Sequence, residues 1–435
     1  MGTPSVDNRL ALLEAENRRL RQAVEELSII NEVATAVSST SPLDQVVELI
    51  VQKCVKHLKV DQGAVLLFEK QEESAALRTM VRKVQTNLRS IPYRLGDQIT
   101  GWMLKNQQPL VINDFQNDGR FRLPAEAAAD VRSLLCVPLR LKGRMIGVLS
   151  VFNKRGSEEG FSDNDQRLLA IIGAQSAQVI ENARLYEEEK ALQRMQQEVQ
   201  MAREIQTRLL PKAPPVVPGY DIAGKSVPAQ NVGGDYFDFL QFRDGHLGLC
   251  LADVSGKGIS ASLLMANVQA TVRGQGAMGT SAAQCLHRSN EQLYQSTDTD
   301  KYVTLFYAVL DAAKHELQYS NAGHNPPLLI KANNQPTLLK VGGPVLGILP
   351  EALFEEATVS LEPGDLLLIY SDGYSEAMNR RFEEFGEDRL LEMAQQNRNA
   401  TSAELIQRIG EAVHQHCAGA PQTDDMTMIA IRVTG

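Results

Sequence analysis

Four aspartates beside glycine-rich turns or at the edges of apolar segments constrain this sequence more than any other feature. Two lie in residues 231–258, NVGGDYFDFLQFRDGHLGLCLADVSGKG, and two in SDG at 371–373 and TDDMT at 423–427; they are Asp235, Asp253, Asp372 and Asp424. Glycine lets the backbone approach closely, and carboxylates are the ligands that hard cations prefer. The pattern predicts a divalent-cation site assembled from distant parts of the chain.

The charge of such a cluster is itself informative. Two unit charges about 4 Å apart repel by about 4 kcal/mol at an effective dielectric constant of about 20. Four converging carboxylates would therefore take up protons unless divalent cations offset their charge. The alternative is four unrelated turn residues, because aspartate favours turns in any protein. The ordered set, with apolar strands and glycines beside it, favours the cation site.

Length and composition exclude several classes of protein. The chain has 435 residues, enough for two or more domains, and its formal net charge of −9 argues against nucleic acid as the main partner. No apolar run approaches the roughly 18 residues of a membrane span, and the first residues lack a secretory signal pattern. The five cysteines are scattered without a CxxC pair, so we expect a reduced, cytoplasmic protein.

Residues 8–34 carry a heptad repeat. The two seam positions are occupied by Leu10, Asn17, Val24 and Asn31 and by Leu13, Leu20, Leu27 and Ala34. Leucine at one position with asparagine at the other favours a parallel dimer in fixed register, so we expect a homodimer through this coiled-coil helix. The alternative is an amphipathic helix that docks on its own domain.

Residues 35–175 have the helix and strand pattern of one α+β domain. Its clearest element is a hairpin with strands at 133–141 and 145–152. The sequences SLLCVPL at 133–139, GRMIGVL at 143–149 and NK at 153–154 make this region similar to a GAF domain. The resemblance implies a six-stranded antiparallel sheet flanked by helices, used as a ligand sensor or a dimerisation module.

The GAF resemblance extends to a possible ligand motif. GAF domains that bind cyclic nucleotides carry Asn-Lys, then Phe, then Asp-Glu; the matching residues here are Asn153, Lys154, Phe161 and Asp165, with Gln166 in place of the glutamate. Gln166 argues against a cyclic nucleotide. The motif is then either part of a site for another, unknown small molecule or a structural clamp, since a fold with a pocket does not specify its ligand.

Residues 176–218 are predicted to form a helical, coiled-coil-like linker that ends in a proline-rich connector. Apolar residues repeat every seven positions from Leu185, with Glu188 and Gln206 as polar defects in the two seams. The prolines in PPVVP at 214–218 give a stiff, extended segment. Such a helix is either a signal transmitter between two domains or a passive spacer.

Residues 219–435 interleave many apolar strand segments with four long helical segments at 259–273, 281–296, 387–396 and 402–416. Many strands with few helices predict two stacked sheets with helices outside. The whole chain is therefore predicted to be an α+β multidomain protein.

This last domain closely resembles metal-dependent serine/threonine phosphatases of the SpoIIE/RsbU branch of the protein phosphatase 2C (PPM) superfamily. The matching segments are AREIQTRLLP at 202–211, NVGGDYFD at 231–238, DVSGKG at 253–258, YVTLFY at 302–307, NAGHNPP at 321–327, SDG at 371–373 and DDMT at 424–427. The resemblance implies an αββα β-sandwich that holds two Mn²⁺ or Mg²⁺ ions at one end.

The resemblance also implies roles for individual residues. The metal ligands would be Asp235, Asp253, the carbonyl of Val254, Asp372 and Asp424. Asp253 would bridge the two ions, and Asp235 would also orient the nucleophile. Asp424 is preferred to Asp425 because it is the first residue of the closing motif. Two-metal chemistry would activate a water for attack on phosphorus, without a cysteine nucleophile.

Four further residues are candidates for supporting roles. Asp238 and Asp425 would support the metal ligands without binding the ions themselves. Lys257 would either attract phosphate or be an ordinary solvated lysine. His324 is the only histidine in a signature motif, and it would either donate a proton to the leaving serine oxygen or bond to the backbone of its own loop.

The sequence thus predicts a metal-dependent phosphoprotein phosphatase regulated by a GAF domain. The branch resemblance implies, as substrate, a phosphoserine or phosphothreonine on a STAS-domain anti-anti-sigma protein in a partner-switching pathway. The alternative is a non-catalytic dimeric sensor that binds its partner without hydrolysis, and the complete set of four aspartates argues against it.

Overall fold

The computed structural model describes residues 41–68, 77–84, 93–121, 131–279, 281–298 and 300–435, together with scattered positions between residues 10 and 31. The chain divides into two compact units, Met1–Arg194 and Met195–Gly435. Much of the predicted coiled coil at 8–34 lies outside the described residues. The described seam positions with apolar side chains are helical and exposed, namely Leu10, Leu13, Leu20 and Val24. Dimerisation through this seam stays a prediction.

The first unit is built on one antiparallel sheet with strand order β2-β1-β5-β4-β3. Its elements are α1 (Leu43–Leu58), β1 (Val60–Phe68), β2 (Leu77–Val84), α2 (Tyr93–Asn106), β3 (Leu110–Ile112), β4 (Leu134–Leu141), β5 (Arg144–Lys154) and the beginning of α3 (Asp163–Leu209). The predicted hairpin is present as β4 and β5. The described residues contribute five strands to this sheet, one fewer than the resemblance implied.

Apolar side chains of this sheet alternate between its two faces. One face packs against α1 and α3, with Ile50 and Ile180 in the shared core, and the other packs against α2 through Met103. Because this core also includes Ala183 of α3, the unit extends past the boundary at residue 175 that the sequence predicted.

The second unit is a sandwich of two sheets. Its elements are β6 (Tyr220–Val227), β7 (Tyr236–Gln241), β8 (Leu247–Val254), α4 (Ile259–Gly276), α5 (Ala282–Ser296), β9 (Val303–Asp311), β10 (Glu316–Ala322), β11 (Leu328–Ile330), β12 (Pro336–Leu338), β13 (Gly342–Gly343), β14 (Ala357–Ser360), β15 (Leu366–Tyr370), α6 (Asp372–Ser375), α7 (Glu387–Gln396), α8 (Ser402–Cys417) and β16 (Met426–Val433). One sheet has the order β13-β10-β9-β8-β7, with β14 also on β10, and the other has the order β12-β11-β15-β16-β6.

Three apolar layers hold the sandwich together. The middle layer joins the two sheets through side chains such as Phe306 and Ile429. Helices α4 and α5 cover the first sheet, where Met265 is fully buried, and α7 and α8 cover the second, where Ile409 is fully buried. This is the predicted αββα arrangement, and the four long helices lie where the sequence placed them. Among the helices that the structure describes, none combines the length and hydropathy needed to cross a membrane.

Candidate metal centre

Strand register makes neighbours of the first two aspartates. Asp235 directly precedes β7 and Asp253 is the penultimate residue of β8. These strands are antiparallel, and Tyr236 pairs with Ala252. The end of one strand therefore lies beside the start of the other, and the two carboxyl groups interact electrostatically.

Strand register in the second sheet likewise makes neighbours of Asp372 and Asp424. Asp372 follows β15 and Asp424 precedes β16, and Tyr370 pairs with Met428 across these antiparallel strands. The charges of Asp372 and Asp424 both raise the pKa of Asp253. The structure therefore brings the four predicted aspartates to one end of the sandwich, two from each sheet.

Glycines in these motifs are required because the backbones pack closely. A Cβ atom on Gly233 would lie 2.5 Å from Asp425 Oδ2, and one on Gly373 would lie 2.0 Å from the Asp425 carbonyl oxygen. A Cβ atom on Gly234 would lie 3.0 Å from the carbonyl oxygen of Val254. That oxygen therefore lies at the turn that carries Asp235, as expected of a further ligand.

The adjacent residues Asp424 and Asp425 have different environments. Asp425 is only 7% exposed, and its carboxylate accepts hydrogen bonds from the backbone N–H groups of Ala229 at 2.7 Å, Gly234 at 2.5 Å and Asp235 at 3.3 Å. Asp424 has a side chain that is 39% exposed. Asp425 thus anchors the turn that carries Asp235, which leaves Asp424 as the candidate ligand.

Burial and mutual repulsion make the cluster hard to ionise. The pKa of Asp235 lies well above its ordinary value, first because of burial and then because of the charge of Asp253, and nearby hydroxyl groups offset part of this. Burial followed by the charges of Asp372 and Asp424 raises the pKa of Asp253 to about 7. Burial and Asp424 also raise the pKa of Asp372. A divalent cation would relieve this repulsion.

The donor set fits hard divalent cations. It consists of carboxylate and carbonyl oxygens, and Asp235 Oδ2 is buried without a hydrogen-bond partner. Among the described residues, no three acidic, histidine or cysteine side chains are already placed to share an ion. The fit therefore rests on the chemistry of the donor set and on the free Asp235 oxygen.

Lys257 is the one predicted supporting residue that reaches the acidic cluster with a positive charge. Its Nζ lies 2.9 Å from Asp424 Oδ2 and donates a hydrogen bond of 2.6 Å to the Thr423 carbonyl. The Asp424 hydrogen bond raises the pKa of Lys257. Lys257 therefore forms an ion pair while its side chain stays half exposed to solvent, and a phosphate contact stays a prediction.

Asp238 does not point to the cluster. Its buried carboxylate accepts hydrogen bonds of 2.7 Å from the Tyr236 hydroxyl and 2.6 Å from Arg273 Nε on α4. Side chains alternate along a strand, so Asp238 and Tyr236 both face the helical layer. Asp238 ties that layer to β7, and the predicted role behind the metal ligands is corrected accordingly.

His324 is a buried loop residue. Its Nδ1 shares a hydrogen bond of 2.9 Å with the Thr304 hydroxyl, and its backbone is bonded to the Asn321 side chain at 2.7 and 3.0 Å. Burial lowers the pKa of His324 to about 4. The ring is therefore neutral near pH 7, which favours the structural alternative over the proton donor.

Gln206 is a site residue that sequence reasoning missed. Near the end of α3, its Oε1 accepts a hydrogen bond of 3.0 Å from the Gly233 N–H, and its Nε2 donates one of 2.6 Å to the Gly233 carbonyl. These two hydrogen bonds hold the backbone of Gly233, next to the segment that Asp425 holds. Two sequence signals pointed to it: a glutamine in an otherwise apolar seam, and its place in the AREIQTRLLP segment that matches the phosphatase family. The second unit thus includes the end of the helix that was assigned to the linker.

In the first unit, the GAF ligand motif forms a clamp. Asn153 Oδ1 accepts a hydrogen bond of 2.8 Å from the Arg132 N–H. Lys154 Nζ bonds to Asp165 at 2.6 Å and to the Leu58 carbonyl at 3.0 Å. The backbone of Phe161 is bonded to Asn113, and its ring lies in the core. These contacts favour the clamp alternative, and a ligand for this domain stays a prediction.

Comparisons with known proteins agree with both domains. Residues 243–434 match the family model of Stage II sporulation protein E (SpoIIE), and residues 40–181 match a GAF domain model. The chain is 28% identical over 261 residues to protein IcfG of Synechocystis sp.. The matched region covers 54% of this chain and 41% of IcfG. The chain is also 28% identical over 253 residues to phosphoserine phosphatase RsbU of Bacillus subtilis. That match covers 57% of this chain and 74% of RsbU.

A solved structure supports the fold of the second unit. The SiaA-PP2C domain of Pseudomonas aeruginosa superposes with a TM-score of 0.50 at 18% identity, and covers 56% of this chain and 98% of that domain. The chain therefore combines a domain of the GAF family with a domain that belongs to the SpoIIE (PP2C-like) family.

Proposed function

We propose that this protein is a metal-dependent serine/threonine phosphoprotein phosphatase. The observation that carries the proposal is the convergence of two aspartate pairs, one from each sheet, where burial and then the charges of Asp372 and Asp424 raise the pKa of Asp253 to about 7. Such a cluster is costly without cations. The match to the SpoIIE family, and the name phosphoserine phosphatase for the relatives RsbU and RsbP, support the same reaction.

Each side of the cluster would hold one cation. Asp235, Asp253 and the Val254 carbonyl would hold one, and Asp372 and Asp424 would hold the other, with Asp253 between them. When bound, two Mn²⁺ or Mg²⁺ ions lower the pKa of a water molecule and offset charge on the phosphoryl group. Asp235 Oδ2 has no hydrogen-bond partner, so it is available to orient that water.

The surrounding residues fix this arrangement. Asp425 and Gln206 hold the turn before Asp235 through backbone hydrogen bonds. Since rates depend steeply on the placement of reacting groups, these contacts support catalysis without touching substrate. The neutral ring of His324 supplies no proton, so the leaving oxygen would take its proton from water.

We propose a phosphorylated STAS-domain anti-anti-sigma protein as the substrate. Support comes from the similarity to RsbU, which reaches 28% identity over 57% of this chain. The test is phosphate release from such a phosphoprotein by the full chain with Mn²⁺. Asp372→Asn should lower turnover by about 100-fold or more, because even residues that only support a metal ligand matter by 10–100-fold.

A matched control separates loss of a ligand from loss of any aspartate. Asp311 ends β9, at the opposite end of the sheet from Asp253, and bonds to Lys314 at 2.9 Å. Asp311→Asn should keep its turnover within about twofold of wild type, because Asp311 lies at the end of the sheet away from the proposed ligands. Full turnover in Asp372→Asn would contradict the metal assignment, and no turnover in the wild-type protein would favour the non-catalytic sensor.

We propose that the GAF domain sets this activity through α3. The beginning of that helix packs into the core of the first unit, and its end carries Gln206. A coupling of about 1–3 kcal/mol would change activity by about 5–150-fold. Comparing the full chain with residues 195–435, after thermal melting has shown that the fragment is folded, tests this; equal activity would contradict it.

A further inference from the structure

We infer that Lys257 is a built-in counter-ion of the metal centre, which must exchange with one of the two cations. This inference rests on the proposed function, since it concerns how that centre takes up its cations. It begins from a contrast between two of the ligands. Asp235 has a free buried oxygen, whereas both oxygens of Asp424 are already bonded.

Each carboxylate oxygen of Asp424 already has one bonded partner. Asp424 Oδ1 accepts a hydrogen bond of 2.9 Å from the N–H of Asp425. Its Oδ2 lies 2.9 Å from Lys257 Nζ, an ion pair that already neutralises its charge. A cation that uses Asp424 Oδ2 therefore competes directly with the lysine ammonium.

The loop after β8 positions the lysine for this contact. Lys257 lies between Gly256 and Gly258, whose φ angles are +102° and +77°, in the region that favours glycine. This path lets the side chain turn back to the segment before β16, where the ammonium also donates to the Thr423 carbonyl at 2.6 Å. The contact is thus set by two separate partners.

The same side chain can leave without cost to the core. It is 50% exposed, and lysine carries a strongly hydrated charge on a flexible chain. A divalent cation at Asp424 would repel the ammonium twice as strongly as a unit charge at the same distance. The lysine would then move into solvent while the cation takes its place.

Unequal binding of the two cations follows. The cation at Asp235 and Asp253 finds a free carboxylate oxygen, whereas the cation at Asp372 and Asp424 must first displace Lys257. The cation at Asp424 should therefore bind more weakly.

Calorimetric titration of Mn²⁺ into the EDTA-treated 435-residue chain tests the inference. We expect two phases in the wild type. Lys257→Met should tighten the weaker phase by about two- to fivefold, the range for a half-exposed ion pair, and leave the tighter phase unchanged. The metal-free variant should also have a lower Tm than wild type, and saturating Mn²⁺ should remove that difference.

Lys301→Met is the matched control. Lys301 Nζ lies 3.6 Å from where a Cβ of Gly256 would be, so it borders the same loop, but it pairs with Asp300 at 3.5 Å. An unchanged weak phase in Lys257→Met would overturn the exchange. An equal effect of Lys301→Met would also overturn it, because a general charge effect would then suffice. A wild-type protein that binds no Mn²⁺ would instead overturn the proposed function.

Discussion

Replacing Asp253 by asparagine should stabilise the metal-free protein while abolishing its response to Mn²⁺. Burial, together with the charges of Asp372 and Asp424, raises the pKa of this carboxyl from 3.8 to about 7. A carboxyl group that ionises less readily in the folded protein than in the unfolded chain destabilises the fold wherever it is ionised. Asparagine fills a similar volume and carries no charge, so it removes this penalty together with the ligand.

The magnitude follows from linkage. The pKa of Asp253 is higher in the folded protein than in the unfolded chain. The contribution of protonated Asp253 to the free energy of unfolding is therefore fully present below pH 3.8 and is lost as the pH rises through 7. The difference between the two values, at about 1.36 kcal/mol per pH unit, corresponds to about 4 kcal/mol at pH 8.5. For a unit of this size, that free energy corresponds to roughly 10 °C in Tm.

Thermal unfolding in EDTA at pH 8.5 and pH 5 provides the assay. Asp253→Asn should melt about 10 °C above wild type at pH 8.5, and the difference should fall to less than about half at pH 5. Mn²⁺ should raise the Tm of wild type and not that of the variant. Asp311→Asn is the control. Hydrogen bonding to Lys314 lowers the pKa of Asp311, so removing this carboxylate should not raise the Tm of the protein. An Asp253→Asn protein that melts at or below wild type at pH 8.5 would refute the reasoning.

Two further substitutions test neighbouring assignments. Asp425→Asn should lower the free energy of unfolding by about 2–3 kcal/mol, because asparagine keeps only one of the two acceptor oxygens and turns an NH2 group toward the remaining backbone N–H donors. Asp424→Asn should change the free energy of unfolding by less than about 1 kcal/mol and remove one phase of Mn²⁺ binding. Urea unfolding and calorimetry would show the reverse if Asp425 were the ligand. Burial lowers the pKa of His324 from 6.5 to about 4, so this residue contributes stability that is present above pH 6.5 and lost as the pH falls toward 4. His324→Gln should therefore reduce the loss of unfolding free energy between pH 7.5 and pH 4.5 by about 2.5 kcal/mol in urea unfolding, and an unchanged loss would mean that this ring is accessible to protons.

Local features of the site could be predicted from the sequence because they depend on short-range chemistry. Glycines beside aspartates mark close backbone approach, as the crowding at Gly233 and Gly373 confirms. Apolar segments that end at these motifs placed Asp253 and Asp372 at strand ends. All five residues of β15 are buried, as expected for a continuous apolar segment that forms the central strand of a covered sheet. The fold class and the four long helices followed from the same periodicities.

Roles that depend on distant partners could not be read in this way. Asp424 and Asp425 are neighbours in the sequence, and only the fold shows that Asp425 is bonded to Ala229, 196 positions earlier. Gln206 was interpreted as a defect in a helix seam. In the tertiary structure its side-chain amide forms hydrogen bonds with both the N–H and the carbonyl of Gly233. His324 stood in a motif as a possible acid, and its burial makes it a neutral loop residue.

The sequence by itself determined which residues are the candidates for the chemistry: four aspartates whose glycine and strand contexts are local properties. The tertiary structure decided what each neighbour does, because hydrogen bonds and ion pairs join segments that the sequence cannot order in space. Lys257 shows the difference most directly. Its place in the DVSGKG motif suggested only a positive charge near phosphate, whereas the fold places its ammonium on Asp424.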